Sequence, residues 1–173
     1  MNNLIIIAKN NIKIIRFCVT VILLLVFFNY ADYYVFRQSE THQILIDFLG
    51  KTSVFVYRFL GYDYRYVNSE IFEGNDPLLM IGFTCDGLSF MTMFLAFVLA
   101  YPIQKPLRKI WFILFGIVVI HLLNTIRVLL LIMNVQVSYS TFDFNHKYTF
   151  IVIVYGIVLW MWMIWAKRNA IKN

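Results

Sequence analysis

Charged residues are scarce in this 173-residue chain: they make up 14% of it, against about 25% in typical soluble domains. Hydrophobic residues reach 61% and aromatic residues 18%, so we expect a single membrane domain rather than a soluble fold. The net charge of +6 comes from basic residues clustered at segment ends. The chain has no basic helix, zinc-finger spacing or aromatic RNA-reading motif, which argues against nucleic-acid binding.

Motifs for metal or nucleotide chemistry are also missing from the sequence. It contains no HExxH, no Walker loop and no GxSxG, and its two cysteines and three histidines lack the spacing of metal ligands. We therefore expect neither a metal nor a cofactor. Whatever chemistry the chain performs should depend on its own side chains.

What the sequence does have is apolar runs of about membrane length, without the strict alternation of a membrane strand. They lie at about residues 12–36, 86–103, 110–133 and 148–166. This pattern predicts an all-α integral membrane protein with about four transmembrane helices. The first run could instead be a cleaved signal peptide, but the segment from Asn29 to Tyr33 offers no small-x-small site, so we favour an uncleaved anchor.

Lysine and arginine placement gives an orientation, because these residues favour the cytoplasmic side. The basic clusters fall on one side of a four-span bundle: Lys9, Lys13 and Arg16, then Lys105, Arg108 and Lys109, then Lys167, Arg168 and Lys172. Both termini are therefore predicted in the cytoplasm. Residues 37–84 and 135–147 are then outside.

The outer segment, residues 37–84, is predicted to be ordered, since it keeps many aromatic residues. Thr41–Leu60 has helical apolar spacing, and Gly61 is a suitable stop. The residues that recur at this spacing are Ile44, Leu45, Phe48 and Leu49. We expect this amphipathic helix to lie in the membrane interface rather than to cross, and residues 62–83 to form a small hairpin.

Cys85 is the first candidate functional residue, at the predicted outer start of the second run. Cys18 lies at the opposite face, so the two cannot form a disulfide. The helix dipole and free amides that follow Cys85 would favour a thiolate and could donate to an oxyanion. Alone, Cys85 would be interpreted as a small packing residue. Ser89 continues a polar stripe one turn further on.

Arg127 and His146 are predicted near the same membrane face. A charge inside a span costs at least a few kcal/mol unless it faces protein or water, although Arg127 could also snorkel to the outer headgroups. His146 opens the last run and could exchange a proton with Cys85, or be an ordinary loop histidine. Of the other histidines, His42 is predicted to be exposed and His121 to form a helix–helix hydrogen bond.

Two segments resemble motifs of the exosortase/archaeosortase family. Thr84 to Phe90, TCDGLSF, resembles its Cys-x-Gly signature, and Asn124 to Val128, NTIRV, resembles its Asn-x-x-Arg motif. His146, just before the last run, matches the family's histidine. The chain departs from the commoner pattern at Asp86, where a small residue is usual, and in having fewer spans than the larger members.

The resemblance implies a cysteine protease or transpeptidase in the prokaryotic cell membrane. Its substrates would be exported proteins with a C-terminal sorting signal and transmembrane helix, transferred to an acceptor such as a membrane lipid or a surface polysaccharide. Cys85 would be the nucleophile, His146 its proton partner and Arg127 an oxyanion or peptide ligand. Asn124 would orient Arg127, and Asp86 would tune His146 or access to the site.

The alternative class is a non-catalytic membrane partner in polysaccharide or protein export. In that case Arg127 would bind an anionic carrier, and no step would require the Cys85 thiol.

Overall fold

The computed structural model describes residues 11–37, 39–102, 105–137, 142 and 144–169. They form helix α1 (Ile12–Ala31, continued by a π-helical turn, Asp32–Phe36), α2 (Thr41–Phe59), strands β1 (Tyr64–Val67), β2 (Glu70–Glu73) and β3 (Asp76–Met80), a 3-10 turn (Phe83–Cys85), and helices α3 (Leu88–Ala100), α4 (Pro106–Val137) and α5 (Phe150–Arg168, preceded by a π-helical turn, Asn145–Thr149). The chain is thus mainly helical, as predicted, with one small sheet.

Three helices of the described part are long and apolar enough to cross a membrane: Ile12–Phe36, Pro106–Gln136 and Asn145–Arg168. Helix α3 has only 13 residues, or about 20 Å, which is less than the roughly 30 Å of a hydrocarbon core. The prediction of about four spans is therefore supported for three of them. Helix α3 is short because the left-handed Gly87 precedes it and Pro102 follows closely.

The end of the bundle that carries the basic residues is filled by aromatic side chains. Trp165 of α5 stacks on Phe112 of α4 with ring centroids 4.4 Å apart. The helices come close here because Gly116 has no side chain: a Cβ at that position would lie 2.2 Å from the Phe94 ring. This packing fixes α3 between α4 and α5 and so sets the position of the opposite end of α3.

Helix α2 begins at the predicted residue, Thr41, and ends one residue before the predicted Leu60. It buries one stripe of side chains: His42, Ile46, Leu49, Gly50, Ser53, Val54 and Tyr57. Of the apolar residues predicted to share a face, Leu49 is buried, whereas Ile44 and Phe48 are 64% and 57% exposed. The stripe is set by docking on the sheet and α4, where Gly50 leaves room for the Tyr66 ring. As predicted, the chain turns at Gly61, whose φ is +93°.

The predicted hairpin is in fact a three-stranded antiparallel sheet in the order β1-β2-β3. Asn68 and Ser69 both have positive φ between β1 and β2, and Gly74 has positive φ between β2 and β3, as two-residue hairpin loops require. Strand β3 is an edge of this sheet. It leads directly into the 3-10 turn that ends at Cys85, so the sheet positions the candidate nucleophile.

Candidate active site

Three separate segments meet at the end of the bundle opposite the basic residues. The 3-10 turn supplies Cys85, α4 supplies Asn124 and Arg127, and the π-helical turn before α5 supplies His146. Cys85 Sγ lies 3.1 Å from His146 Nε2, within hydrogen-bonding distance. The predicted trio is thus gathered in one place although its members are up to 61 residues apart.

The backbone around Cys85 is held from α4. Asn124 Nδ2 donates a hydrogen bond of 2.6 Å to the Cys85 carbonyl oxygen. Gly87 adopts φ +83°, and a Cβ there would lie 2.9 Å from Asn124 Nδ2, so the turn needs glycine. We predicted that Asn124 would orient Arg127; the contact observed is with the backbone of Cys85.

Arg127 is 2% exposed, and its guanidinium is only partly paired. Nη2 donates to the His146 carbonyl oxygen at 3.4 Å, while Nε and Nη1 have no hydrogen-bond partner among the described residues. A buried cation with unpaired donors is costly. The arrangement therefore suits a negatively charged or oxyanionic ligand beside His146.

His146 is oriented by its neighbours on both sides. Its ring lies parallel to that of Phe142, with centroids 5.7 Å apart and an interplanar angle of 4°. The preceding residue, Asn145, donates from Nδ2 to Asn134 Oδ1 of α4 at 3.1 Å. These contacts, with the Arg127 bond to its carbonyl, direct Nε2 of His146 towards Cys85.

An apolar cavity of about 210 Å³, which we call the Cys85 cavity, opens beside this pair. Its walls come from the end of β3, from α4 and from the two sides of the Cys–His pair. The lining residues are Leu79, Met80, Ile81, Gly82, Cys85, Val128, Leu131, Phe142 and His146. A ligand in it would contact Cys85 directly.

Asp86 does not have the partner that we predicted. Its Oδ2 pairs with Nδ1 of His42, and its Oδ1 accepts a 2.8 Å hydrogen bond from the Leu88 amide. That amide, which we expected to serve an oxyanion, is therefore already used. Burial raises the pKa of the Asp86 carboxyl, and the bonds from Leu88 and His42 oppose that rise.

The prediction that His42 is exposed is wrong, because its residue surface is only 5% exposed. Besides Asp86, it contacts Asp32 through Nε2 at 2.8 Å, and Arg37 lies 3.5 Å from the other oxygen of Asp32. His42 thus joins the end of α1 to the turn that carries Cys85. Sequence reasoning missed it because Asp32 and Asp86 are distant in the chain, although the acidic residue beside the cysteine was a usable signal.

Ser89 and His121 lie away from the Cys–His pair. Ser89 is exposed and lines a second cavity, of about 550 Å³, together with Asp32, His42 and Asp86. His121 was expected to form a helix–helix hydrogen bond; instead its ring stacks on Phe48 with centroids 4.4 Å apart. Its Nε2 is buried without a hydrogen-bond partner among the described residues.

Neither cysteine forms a disulfide. In the part of the chain that the structure describes, no group of three or more His, Cys, Asp or Glu residues is arranged to hold a metal ion.

Searches of the curated proteins and of the solved structures gave no match to this chain. A model of the protein family described as Transmembrane exosortase (Exosortase_EpsH) matches residues 4–166. The match covers nearly the whole chain, including α1 and the outer segment, which the motifs alone had not covered. The chain therefore belongs to the transmembrane exosortase family.

Proposed function

We propose that this protein is a membrane-embedded cysteine peptidase and transpeptidase that cleaves the C-terminal sorting signals of exported proteins. The observation that carries the proposal is the 3.1 Å contact between Cys85 Sγ and His146 Nε2, found in a chain of the exosortase family. A thiol within hydrogen-bonding distance of an imidazole is the arrangement that nucleophilic catalysis by cysteine needs.

In the proposed reaction, His146 Nε2 takes the proton from Cys85, and Sγ attacks the carbonyl carbon of the scissile peptide. The carbonyl oxygen becomes an oxyanion, which the unpaired donors of Arg127 stabilise. His146 then gives its proton to the leaving amine as the C–N bond breaks, and a thioester remains on Cys85. An acceptor nucleophile attacks that thioester, transfers its proton to His146 and restores the thiol.

We place this chemistry at the outer face of the cell membrane, with both termini in the cytoplasm. Two observations support that orientation. Cys85, Arg127 and His146 lie at the end of the bundle that also carries α2 and the sheet. Lys109 and Arg168, by contrast, are at the other end, where Tyr101 of α3 bonds to Ala166 of α5, and lysine and arginine favour the cytoplasmic side.

The test compares the C-termini of membrane and secreted proteins, by mass spectrometry, in cells with the wild-type protein and with Cys85→Ala. We expect a set of exported proteins to retain a hydrophobic C-terminal helix only in the Cys85→Ala cells. Cys18→Ala is the matched control and should give the wild-type profile, because Cys18 lies near the start of α1 and is exposed. Identical profiles at equal protein levels would refute the proposed activity.

One observation also favours the second candidate, a non-catalytic export partner that binds an anionic carrier. The buried guanidinium of Arg127, with Nε and Nη1 unpaired among the described residues, would suit a phosphate as well as an oxyanion. Cys85→Ser separates the two candidates. A binding partner tolerates this exchange of sulfur for oxygen, whereas a thioester-forming enzyme loses its processing activity.

A further inference from the structure

We propose that the Cys85 cavity is the specificity pocket for an apolar side chain of the substrate, contributed by a residue next to the scissile bond. This inference rests on the proposed function and assigns the class of side chain that the same site accepts. The cavity shares Cys85 and His146 with the reacting pair. A substrate whose carbonyl carbon reaches Sγ therefore has a neighbouring residue at the mouth of the cavity.

The lining of the cavity selects for apolar groups. Apart from the two reacting residues, the side chains that line it are aliphatic, thioether or aromatic. They include Leu79 of β3 and Ile81 just after it, and Val128 and Leu131 of α4. A carboxylate or ammonium placed among these side chains, away from the reacting pair, would lose its hydration without gaining a partner. An apolar side chain would gain by leaving water.

The size of the cavity sets an upper limit on that side chain. Its volume is about 210 Å³, and a buried apolar cavity of about 150 Å³ is known to hold benzene. A leucine or phenylalanine side chain therefore fits, and the space is larger than alanine can fill. We expect processing to improve as the substrate residue grows from alanine to leucine.

The edge of the sheet forms one wall, which suits an extended peptide. Strand β3 lies at the edge of the sheet, and the residues that follow it, Ile81 and Gly82, line the cavity. An extended segment beside a strand edge directs alternate side chains to opposite faces. One side chain of such a segment would enter the cavity while its neighbours remain outside.

Gly82 offers a way to narrow the cavity without disturbing the fold. Its φ is −92°, a conformation open to any residue, and an added Cβ would have no heavy atom within 4 Å. Because Gly82 lines the cavity, we expect a leucine there to reduce the space for a substrate side chain. Gly156 of α5 is the matched control, since a Cβ at that helical position also meets nothing within 4 Å and Gly156 does not line the cavity.

The experiment uses an exported reporter that carries the C-terminal segment identified by the comparison with Cys85→Ala. Alanine, valine, leucine, phenylalanine, aspartate and lysine are placed in turn on each side of the cleavage site, and cleavage is measured in membranes containing the full-length protein. At one of the two positions, wild-type protein should process leucine at least about tenfold faster than aspartate or lysine. Gly82→Leu should slow the leucine and phenylalanine reporters by about tenfold or more but the alanine reporter far less, and Gly156→Leu should slow none of them.

Two failures are distinguishable in this design. If Cys85→Ala cleaves the reporter as the wild type does, the proposed function itself is wrong. If cleavage requires Cys85 but charged and apolar residues are processed alike at both positions, the assignment of the pocket is wrong. Equal slowing of all reporters by Gly82→Leu also overturns the assignment of the pocket. If Gly82→Leu does not accumulate, the reporter series in the wild type decides whether the pocket is assigned correctly.

Discussion

Replacing His42 with alanine removes the imidazole that lies between the Asp32 and Asp86 carboxylates. The His42 and Asp86 side chains are 6% and 3% exposed, so Asp86 loses its buried partner, whereas Asp32 is 24% exposed and retains Arg37. His42 makes two hydrogen bonds to carboxyl groups, each worth about 1.5–3 kcal/mol, so its removal should cost about 3–5 kcal/mol. For a chain of this size, that corresponds to a fall in Tm of roughly 6–20 °C.

The assay is thermal unfolding of the purified protein in detergent, followed by loss of the monodisperse peak in gel filtration after heating. His121→Ala is the matched control, because it makes the same change at a helical histidine that stacks on Phe48. A stacked pair of this kind is worth about 0.5–1.5 kcal/mol. We therefore expect the control to lose only a few degrees of Tm.

A second variant identifies the cause of the loss. His42→Ala combined with Asp86→Asn replaces the unpaired carboxyl with a neutral amide, whose oxygen can still accept the hydrogen bond from the Leu88 amide. We expect this double variant to be more stable than His42→Ala alone. The reasoning is refuted if His42→Ala melts within about 2 °C of the wild type, or if Asp86→Asn makes it less stable still.

Three further predictions concern the supports of the site. Gly87→Ala should lower Tm and slow processing. A residue with a Cβ loses about 1–2 kcal/mol at φ +83°, and the new atom would lie 2.9 Å from Asn124 Nδ2. Unchanged processing would count against the need for this turn. Arg127→Lys keeps the charge but loses the planar donors, and it should lower kcat about 100-fold with little change in KM in a reporter assay; a change in KM alone would indicate substrate anchoring instead. Tyr57→Phe loses the 2.7 Å hydrogen bond to the Leu129 carbonyl, worth about 1 kcal/mol. Burial raises the pKa of Tyr57 from 10.0 to about 12, so the folded state binds the phenolic proton more tightly than the unfolded state does. The free energy of unfolding of the wild type, measured by chemical denaturation, should therefore fall as the pH rises above 10.0. Tyr57→Phe should lack this part of the pH dependence.

Apolar length and basic clusters were enough to predict most of the helices. The bounds of α1 and α2 were predicted to within a few residues because strong composition changes mark their ends. Helix α3 was predicted as a fourth span, and its 13 residues do not reach across a membrane. The run was predicted to begin at residue 86, but Asp86 and Gly87 belong to the turn before α3, which begins at Leu88.

The candidate site was only partly predictable, for a different physical reason. Depth and spacing predicted that Cys85, Arg127 and His146 share one membrane face, and they do lie together in the structure. The partners of Asp86 and Asn124 depend on how α2 docks and on a left-handed Gly87, and neither has a periodic signal in the sequence. The burial of His42 depends on the same docking of α2, which brings its ring between Asp32 and Asp86.

The segment from α2 to β3 is part of the core that encloses Cys85 rather than an accessory to it. Cys85 is buried in one cluster with Ile46 and Leu49 of α2, Ile71 of β2 and Val128 of α4. Helices α3 and α5 form a second cluster nearer the basic end, centred on Phe94 and Val158. Cys85, the candidate nucleophile, thus belongs to the first cluster, and its burial depends on the cover that α2 and the sheet provide. Because the short α3 begins beneath this cover, the turn just before it holds Cys85 among apolar side chains, where the residue is only 7% exposed.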